Sequence, residues 1–296
     1  MTDVDRSKSV LQVVDHRLRR AGLQAARLAS WWMKPQRWPR PRRYSPLSQL
    51  DVLRHEMVVP MRRDDGFAET ALEAGKHHNV SLAAPRFDGA LVTPGRPLSF
   101  WRTLGRASAS HGFRWGMELR GGCITPAIAG GLCLLSNALF AAAVHAGWRI
   151  LEHHSHSMEA IPPLPGSMPL DATVAWPDVD LVVEPVDGPA RLSVRVDGDS
   201  LRVAIFAARA ATERIELSCE EMVVERGADR VRRSHVFRRR IHLVDERVVC
   251  TEEVVRSERR ILSVHELGRS CISCSQTECS DRPAEPVLVS LRGKTR

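Results

Sequence analysis

A cysteine at the start of an apolar stretch is the residue of this sequence that most clearly offers chemistry. Gly130 and Gly131 come just before Cys133, and the apolar run after it predicts a helix. Free N–H groups and the positive end of the helix dipole stabilise a thiolate there, which lowers a thiol pKa and makes it nucleophilic. The same N–H groups suit a developing oxyanion. We therefore predict a nucleophile at Cys133.

Histidines and an aspartate follow at a distance that a returning strand can cover. Residues 152–157 read EHHSHS, and Asp171 comes later. A helix leading away from Cys133 and a strand back would return the histidines to the helix N-terminus, and the next strand would add Asp171. This is the order that a Cys–His–Asp triad needs. The predicted catalytic residues are Cys133, His156 or His154, and Asp171, and the predicted ligand or oxyanion residues are Gly130, Gly131, Ser136 and Asn137.

The same residues permit other interpretations. A cysteine at the start of an apolar helix is more often a small buried residue than a nucleophile. Three histidines within four residues, with an aspartate nearby, are also close to metal-ligand spacing, or they simply end a strand. The alternatives to an enzyme are therefore a non-catalytic accessory or ligand-binding protein and a metalloprotein.

Three cysteines near the C-terminus have metal-ligand spacing. Cys271, Cys274 and Cys279 form a CxxCx4C pattern, in which two thiolates share an ion and the third closes a face of a tetrahedron. Cys250 is a candidate for the fourth ligand, as are His265 and Cys219. Zinc is the default ion, and an iron–sulfur cluster is the alternative because it suits all-thiolate ligation. An unliganded tail remains the other interpretation.

The positive charge of the chain is concentrated at its N-terminus. Residues 1–44 contain eleven Lys and Arg and three Asp, a net charge of +8, which equals the net charge of the whole chain. The remainder is therefore neutral, and we expect no specific nucleic-acid binding. The basic run 230–240 has acidic neighbours in sequence and predicts a solvated sheet face.

The basic arm includes a predicted amphipathic helix at residues 8–33, followed by a segment rich in Trp, Pro and Arg. A basic helix with interfacial Trp is typical of a membrane-surface anchor, and a helix docked on its own protein is the equal alternative. The start of the chain lacks the pattern of a secretory signal, and the uncharged run 121–148 contains Pro126 and two adjacent glycines. We expect no signal peptide or transmembrane helix and a cytoplasmic protein, with membrane contact at the inner face as an option.

The elements around these residues predict an α+β fold. It has N-terminal helices, a mixed core with a buried helix that carries the cysteine, and a C-terminal antiparallel β-meander. Predicted helices cover 47–59, 67–83 and 132–146; predicted strands cover 112–122, 148–154, 171–185, 213–225, 231–243 and 247–256, with hairpins around residues 94–95 and 197–200. The predicted domains are a basic arm (1–45), an α+β domain (46–258) and a Cys-rich tail (259–296).

Five segments of this sequence resemble the VanW family in order and spacing: LVTPGRPLSFWRTLG, GFRWGMELRGG, IAGGLCLLSNALF, GWRILEHHSHS and DATVAWPDVDL. The resemblance implies a link to glycopeptide resistance and the cell envelope, but no established reaction. It points to a peptidoglycan-related small molecule or peptide as partner, and acyl transfer or amide hydrolysis as reaction. One departure is Leu134, where the family usually has Gln beside the cysteine. The order Cys, His, Asp also resembles transglutaminase-like and papain-related enzymes.

Overall fold

A computed structural model gives the architecture of most of the chain. The described residues are 19, 21–33, 42–43, 49–62, 70–120, 122–159, 168–227, 229–262 and 270–271. Four helices lie among them: α1 (21–33), α2 (Thr70–Phe87), α3 (Phe100–Leu104) and α4 (Cys133–His145).

The strands dominate the described residues and are mostly antiparallel, which confirms the α+β class. In chain order they are β1 (Arg42–Arg43), β2 (Val52–Pro60), β3 (Ala90–Val92), β4 (Leu98–Ser99), β5 (Trp115–Arg120), β6 (Cys123–Ile128), β7 (Arg149–Glu152), β8 (Met158–Glu159), β9 (Val182–Glu184), β10 (Ala190–Asp197), β11 (Ser200–Ala207), β12 (Glu213–Arg226), β13 (Asp229–His242) and β14 (Val248–Ile261).

The strands form four sheets. A five-stranded sheet has the order β1-β3-β10-β11-β2, and a three-stranded sheet has the order β4-β9-β7. β5 and β6 form a hairpin. The long strands β12, β13 and β14 form the predicted meander, and the short β8 joins its edge in parallel to β14. The meander therefore reaches back to the segment that holds the histidines.

Helix α4 lies in the core because it is apolar on almost every side. Leu135, Leu139, Phe140 and Val144 are each at most 2% exposed, and the helix packs against β2 and β11 of the five-stranded sheet. Burying one leucine side chain contributes ~1.5–3 kcal/mol. This packing fixes the helix axis, and with it the place where Cys133 begins the first turn.

Two predicted elements are wrong. Of the residues 47–59, predicted as a helix ended by Pro60, residues 52–59 instead lie in the edge strand β2, which pairs with β11; residues 47–48 lie outside the described residues. Its exposed and half-buried residues alternate, and an edge position tolerates proline because one side of the strand makes no ladder bonds. The predicted strand 171–185 is reduced to β9, because the residues before it bind α4 and the histidine segment instead of a neighbouring strand.

Helix α1 docks on the rest of the protein through one face. Arg27 Nη2 donates to Glu152 Oε1 at 2.5 Å, and the Trp31 ring meets Trp176 edge to face with centroids 5.4 Å apart. Leu23 and Trp32, on the predicted apolar side, are 63% and 86% exposed. The described half of the predicted helix 8–33 thus fits the docked alternative, while membrane contact stays a prediction. None of the helices in the described ranges has both the length and the apolar character to cross a membrane.

An arginine of the basic run 230–240 lies inside the protein, so the prediction of a solvated face is wrong for it. Arg238 is 2% exposed because period two along β13 turns it inward. Its Nη1 donates to the carbonyls of Val144 at 3.0 Å and Trp148 at 2.9 Å, and its Nη2 donates to Glu252 at 2.8 Å. This guanidinium therefore caps the C-terminal end of α4 and ties the meander to the core.

We expect Arg238→Leu to lower the free energy of unfolding by ~2–4 kcal/mol, because two buried carbonyls lose their donor. Urea unfolding followed by circular dichroism measures this. The matched control is Arg239→Leu, whose side chain is 46% exposed and pairs at the surface with Glu216; its loss should stay below ~1 kcal/mol. Equal losses in the two variants would contradict the capping role.

Candidate active site

The turn before Cys133 is packed too tightly for any residue but glycine. Gly131 has a φ of +96°, and a Cβ there would lie 2.3 Å from Lys76 Cγ. A Cβ on Gly130 would lie 2.5 Å from the carbonyl carbon of Gly116. The two glycines therefore allow the close approach of α2 and β5 to this turn, and their predicted role in binding a ligand or oxyanion stays a prediction.

Hydrogen-bond donors converge on the Cys133 sulfur from another part of the chain. The hydroxyl of Thr173 lies 3.6 Å from Sγ, and the backbone N–H of Val174 and the side chain of His156 also bond to it. Burial alone would raise the pKa of this thiol, but the hydrogen bond and positive charge of His156 outweigh burial, and the pKa is lowered. The residue as a whole is partly exposed, and the hydrogen bonds to its sulfur stabilise the thiolate.

His156 is held by the Asp171 carboxylate through two bonds. Nδ1–H donates to Oδ1 at 2.7 Å, and the backbone N–H of His156 donates to Oδ2 at 2.7 Å. Nε2 is thereby left for the sulfur of Cys133. Burial would lower the pKa of His156, but bonds to Asp171 and Cys133 raise it to about 10. Burial would raise the pKa of Asp171, and the bond to His156 lowers it instead. The arrangement therefore favours the ion pair of a thiolate and an imidazolium over the neutral thiol and imidazole.

The other two histidines of the segment have different roles. The side chain of His154 is 46% exposed, and its Nε2 lies 3.3 Å from Glu152, so the structure does not place it at the thiol. His153 stacks on Phe140 with centroids 4.3 Å apart, and its Nε2 lies 2.6 Å from the carbonyl of Asp171. The three imidazoles of the segment therefore lie in different surroundings: His154 at the surface, His153 in the core and His156 beside Cys133.

The side chains of Ser136 and Asn137 bond to the backbone in this structure, and their predicted role in ligand binding stays a prediction. Ser136 is fully buried and donates to the carbonyl of Ala172 at 2.5 Å. Asn137 Oδ1 accepts the N–H of Ala172 at 2.7 Å. Both side chains are occupied by the backbone next to Asp171. They hold that segment against α4, which is why the carboxylate reaches His156.

The predicted metal ligands are mostly beyond what the structure describes. Cys274, Cys279 and His265 lie outside the described residues. Cys271 is buried and its N–H donates to the Ile124 carbonyl at 2.9 Å, and Cys250 lies partly buried on β14. Within the described ranges no group of three or more His, Cys, Asp or Glu has a geometry for a metal ion. The zinc or iron–sulfur site stays a prediction.

Sequence reasoning missed Thr173, Asp180 and Arg259. Thr173 lies two residues after Asp171. Residues two apart in an extended chain face the same side, so this spacing indicates that Thr173 faces the same side as Asp171. Asp180 is fully buried and accepts the Ser99 hydroxyl at 2.5 Å and the Trp101 N–H at 3.1 Å; burial raises its pKa to about 6. Through these two hydrogen bonds Asp180 holds the segment after Asp171 in place.

Comparisons with known proteins find similarity over the segment that contains this site. Residues 75–206 match the family model described as VanW like protein. Over 139 residues the chain is 30% identical to the vancomycin B-type resistance protein VanW of Enterococcus faecalis, covering 46% of the chain and 50% of that relative. Residues 75–206 are therefore similar to VanW-like proteins, and this stretch is called the VanW-like domain below.

A second relative is the uncharacterized protein YoaR of Bacillus subtilis, 26% identical over 141 residues, which are 47% of this chain and 46% of that relative. The chain spans about half the length of the curated relatives it matches. No solved structure shows significant similarity to it. Cys133, His156 and Asp171 all lie inside the VanW-like domain, whereas β12, β13 and β14 follow it.

Proposed function

We propose that the VanW-like chain is a cysteine-dependent enzyme of the acyl-transfer or amide-hydrolysis class. The observation that carries the proposal is the convergence of the Cys133 sulfur, the His156 imidazole and the Asp171 carboxylate in a partly exposed place. Three residues from a helix and two later segments meet there in the roles of nucleophile, acid–base group and orienting group.

The proposed reaction follows from the protonation states. The Cys133 thiolate attacks an acyl carbon, and the electron pair of the carbonyl moves onto its oxygen. Imidazolium His156 then gives its Nε2 proton to the leaving amine as the carbon–nitrogen bond breaks. The resulting thioester is attacked by water or an amine, whose proton returns to His156, and the thiolate is released.

Backbone amides at the start of α4 are suited to hold the oxyanion. The N–H groups of Leu132 and Cys133 donate to no acceptor among the described residues, and they lie at the positive end of the helix dipole. Donors of this kind stabilise negative charge as it develops in the transition state. This arrangement uses no side chain, so Leu134 in place of the glutamine usual in the family does not remove it.

The proposed substrate is a peptidoglycan-related amide in a small molecule or peptide. It rests on the name of the Enterococcus faecalis relative, which is a vancomycin resistance protein. We place the reaction on the cytoplasmic side of the cell envelope, with α1 as the element closest to the membrane because Trp32 and Met33 are 86% and 66% exposed.

Trapping of an acyl-enzyme tests the proposal. The purified chain is incubated with a mixture of peptidoglycan stem peptides, and intact-protein mass spectrometry is used to find an adduct on Cys133 that hydroxylamine removes. We expect the adduct and peptide cleavage in the wild type and in the control His154→Ala, and neither in Cys133→Ala. Cleavage that persists in Cys133→Ala would disprove the cysteine mechanism.

A non-catalytic accessory protein is the second proposal, and Leu134 favours it because the expected polar neighbour of the thiol is missing. In that case the site holds a ligand or partner and Cys133 is a packing residue. Cys133→Ala would then leave the resistance or envelope phenotype of a host strain unchanged, whereas the enzyme proposal requires its loss.

A further inference from the structure

Arg259 is a buried arginine whose donors are unused. It is 8% exposed, and its Nε and Nη2 atoms are fully buried without a hydrogen-bond partner in the part of the chain that the structure describes. Arg238, the other deeply buried arginine of the same sheet, instead bonds to two carbonyls and to Glu252. Burying a guanidinium without hydrogen-bond partners destabilises the folded state, so the position of Arg259 needs an explanation.

The strand pairing brings Arg259 to the histidine segment. Arg260, the next residue on β14, pairs with Met158 on β8, and its N–H donates to the Ser157 carbonyl at 2.9 Å. Along β14 the buried residues alternate with exposed ones, so Arg259 shares the inner face with Ser257, while Arg256 lies on the outer face. The guanidinium therefore lies on the inner side of the sheet, beside the chain that carries His156.

Electrostatics agree with this position. The charge of Arg259 contributes to the lowered pKa of Asp171, where burial acts in the opposite direction and His156 has the larger lowering effect. Yet Asp171 accepts no hydrogen bond from the buried Nε and Nη2 of Arg259, and each of its oxygens instead accepts one from His156. The guanidinium is thus close enough to act on the triad's carboxylate but makes no bond to it.

Nearby acidic side chains are also engaged elsewhere. Glu159 on β8 accepts from Arg232 at 2.9 Å, and Glu221 on β12 accepts from the Ser234 hydroxyl at 2.7 Å. Arg232 is the register partner of Arg259 on β13, and it forms the ion pair with the Glu159 carboxylate at this edge of the sheet. Arg259 is left as a desolvated cation with a planar set of N–H donors, which matches a carboxylate or phosphate in two-bond geometry.

We propose that Arg259 binds an anionic oxygen group, a carboxylate or a phosphate, on the molecule that the Cys133 site accepts. The substrate is then an acyl compound with a negative charge close to the bond that is cleaved, and Arg259 positions it. This part rests on the proposed function, whereas anion binding itself does not. Arg259 lies outside the VanW-like segment 75–206, so the subsite belongs to the C-terminal sheet of this chain.

Calorimetry and thermal unfolding with simple anions test the subsite. The probes are N-acetylglycinate, its neutral amide and inorganic phosphate, at constant ionic strength. We expect the wild type to bind at least one anion with a Kd on the order of 1 mM and to gain thermal stability, while the neutral amide has no effect. A response to N-acetylglycinate alone indicates a carboxylate substrate, and one to phosphate alone indicates a phosphate. No anion effect in the wild type overturns the proposal.

The matched variants are Arg259→Met and Arg256→Met, the latter on the outer face with its side chain 71% exposed. We expect Arg259→Met to weaken anion binding at least ~10-fold and to be no less stable without anion, because the unpartnered charge is gone. Arg256→Met should bind like the wild type. Unchanged binding in Arg259→Met overturns the proposal, and Arg259→Lys, which keeps one charge without the planar fork, serves if the methionine variant does not fold.

Protection of the thiol separates this inference from the proposed enzyme. Iodoacetamide is neutral, so bound anion should slow its reaction with Cys133 in the wild type but not in Arg259→Met. Anion binding that depends on Arg259 beside an inert Cys133 supports the subsite and contradicts the enzyme. A reactive Cys133 with neither anion binding nor protection supports the enzyme and contradicts the subsite.

Discussion

We expect iodoacetamide to alkylate Cys133 of the native protein rapidly at about pH 6.5 and His156→Gln to slow this reaction about 100-fold, because an ordinary thiol is only ~1% ionised at that pH. In the wild type the imidazolium of His156, the Thr173 hydroxyl and the Val174 N–H stabilise the thiolate. Mass spectrometry of the alkylated protein against time measures the rate and identifies the modified cysteine.

His154→Gln is the matched control, since His154 lies two residues away, carries the same side chain and is 46% exposed. It should react like the wild type. A Cys133 that stays unreactive until the protein is denatured would show that the thiol is packing and would remove the basis of the proposed reaction.

The alkylation rate should depend on pH differently in the wild type and in His156→Gln. The pKa of Cys133 is lowered and that of His156 is raised to about 10. The pH range in which the ion pair exists is therefore widened at both ends, and the rate should change less through neutral pH than the rate of an ordinary thiol. In His156→Gln the rate should instead rise steadily with pH, as for a thiol without a cationic neighbour.

Asp171→Asn should lower the alkylation rate by ~10–100-fold and the free energy of unfolding by ~2–3 kcal/mol. The carboxylate accepts both the Nδ1–H and the backbone N–H of His156, and an amide has only one acceptor oxygen. One of these two donors then loses its partner, and the imidazole loses its fixed orientation. Alkylation kinetics and urea unfolding measure the two effects.

Asp187→Asn is the control for this variant, because its side chain is 51% exposed and its ion pairs with Arg54 and Arg240 are 3.5 and 3.8 Å long. Its cost should stay below ~1 kcal/mol. Equal losses in both variants would contradict the orienting role of Asp171.

The same two residues predict how stability varies with pH. The pKa of Asp171 is lowered by folding, so its contribution is present above the unfolded value of ~3.9 and is lost as pH falls through the folded value. The pKa of His156 is raised, so its contribution is complete below the unfolded value of ~6.5 and is lost as pH rises through about 10. The free energy of unfolding of Asp171→Asn should therefore decrease less than that of the wild type as the pH falls.

Local patterns in the sequence predicted the elements whose residues interact with near neighbours. The apolar run after Cys133 predicts α4, and the residues Asp197 to Ser200 predict the hairpin of β10 and β11, which pairs as expected. Strand β2 was mistaken for a helix because its partner β11 lies far away in sequence, and only that pairing selects a strand for a segment of mixed periodicity.

The site shows the same division between local and long-range information. The sequence by itself determined that Cys133 begins a buried helix and that histidines and an aspartate follow within reach. His154 and His156 lie on the same side of an extended chain, so the spacing could not choose between them. In the tertiary structure it is His156 that lies beside Asp171. Ser136 and Asn137 hold the backbone at Ala172 against α4, and this places the Asp171 carboxylate next to that one imidazole. It alone also placed Arg259 beside the triad, because strand pairing with β8 depends on residues about a hundred positions apart.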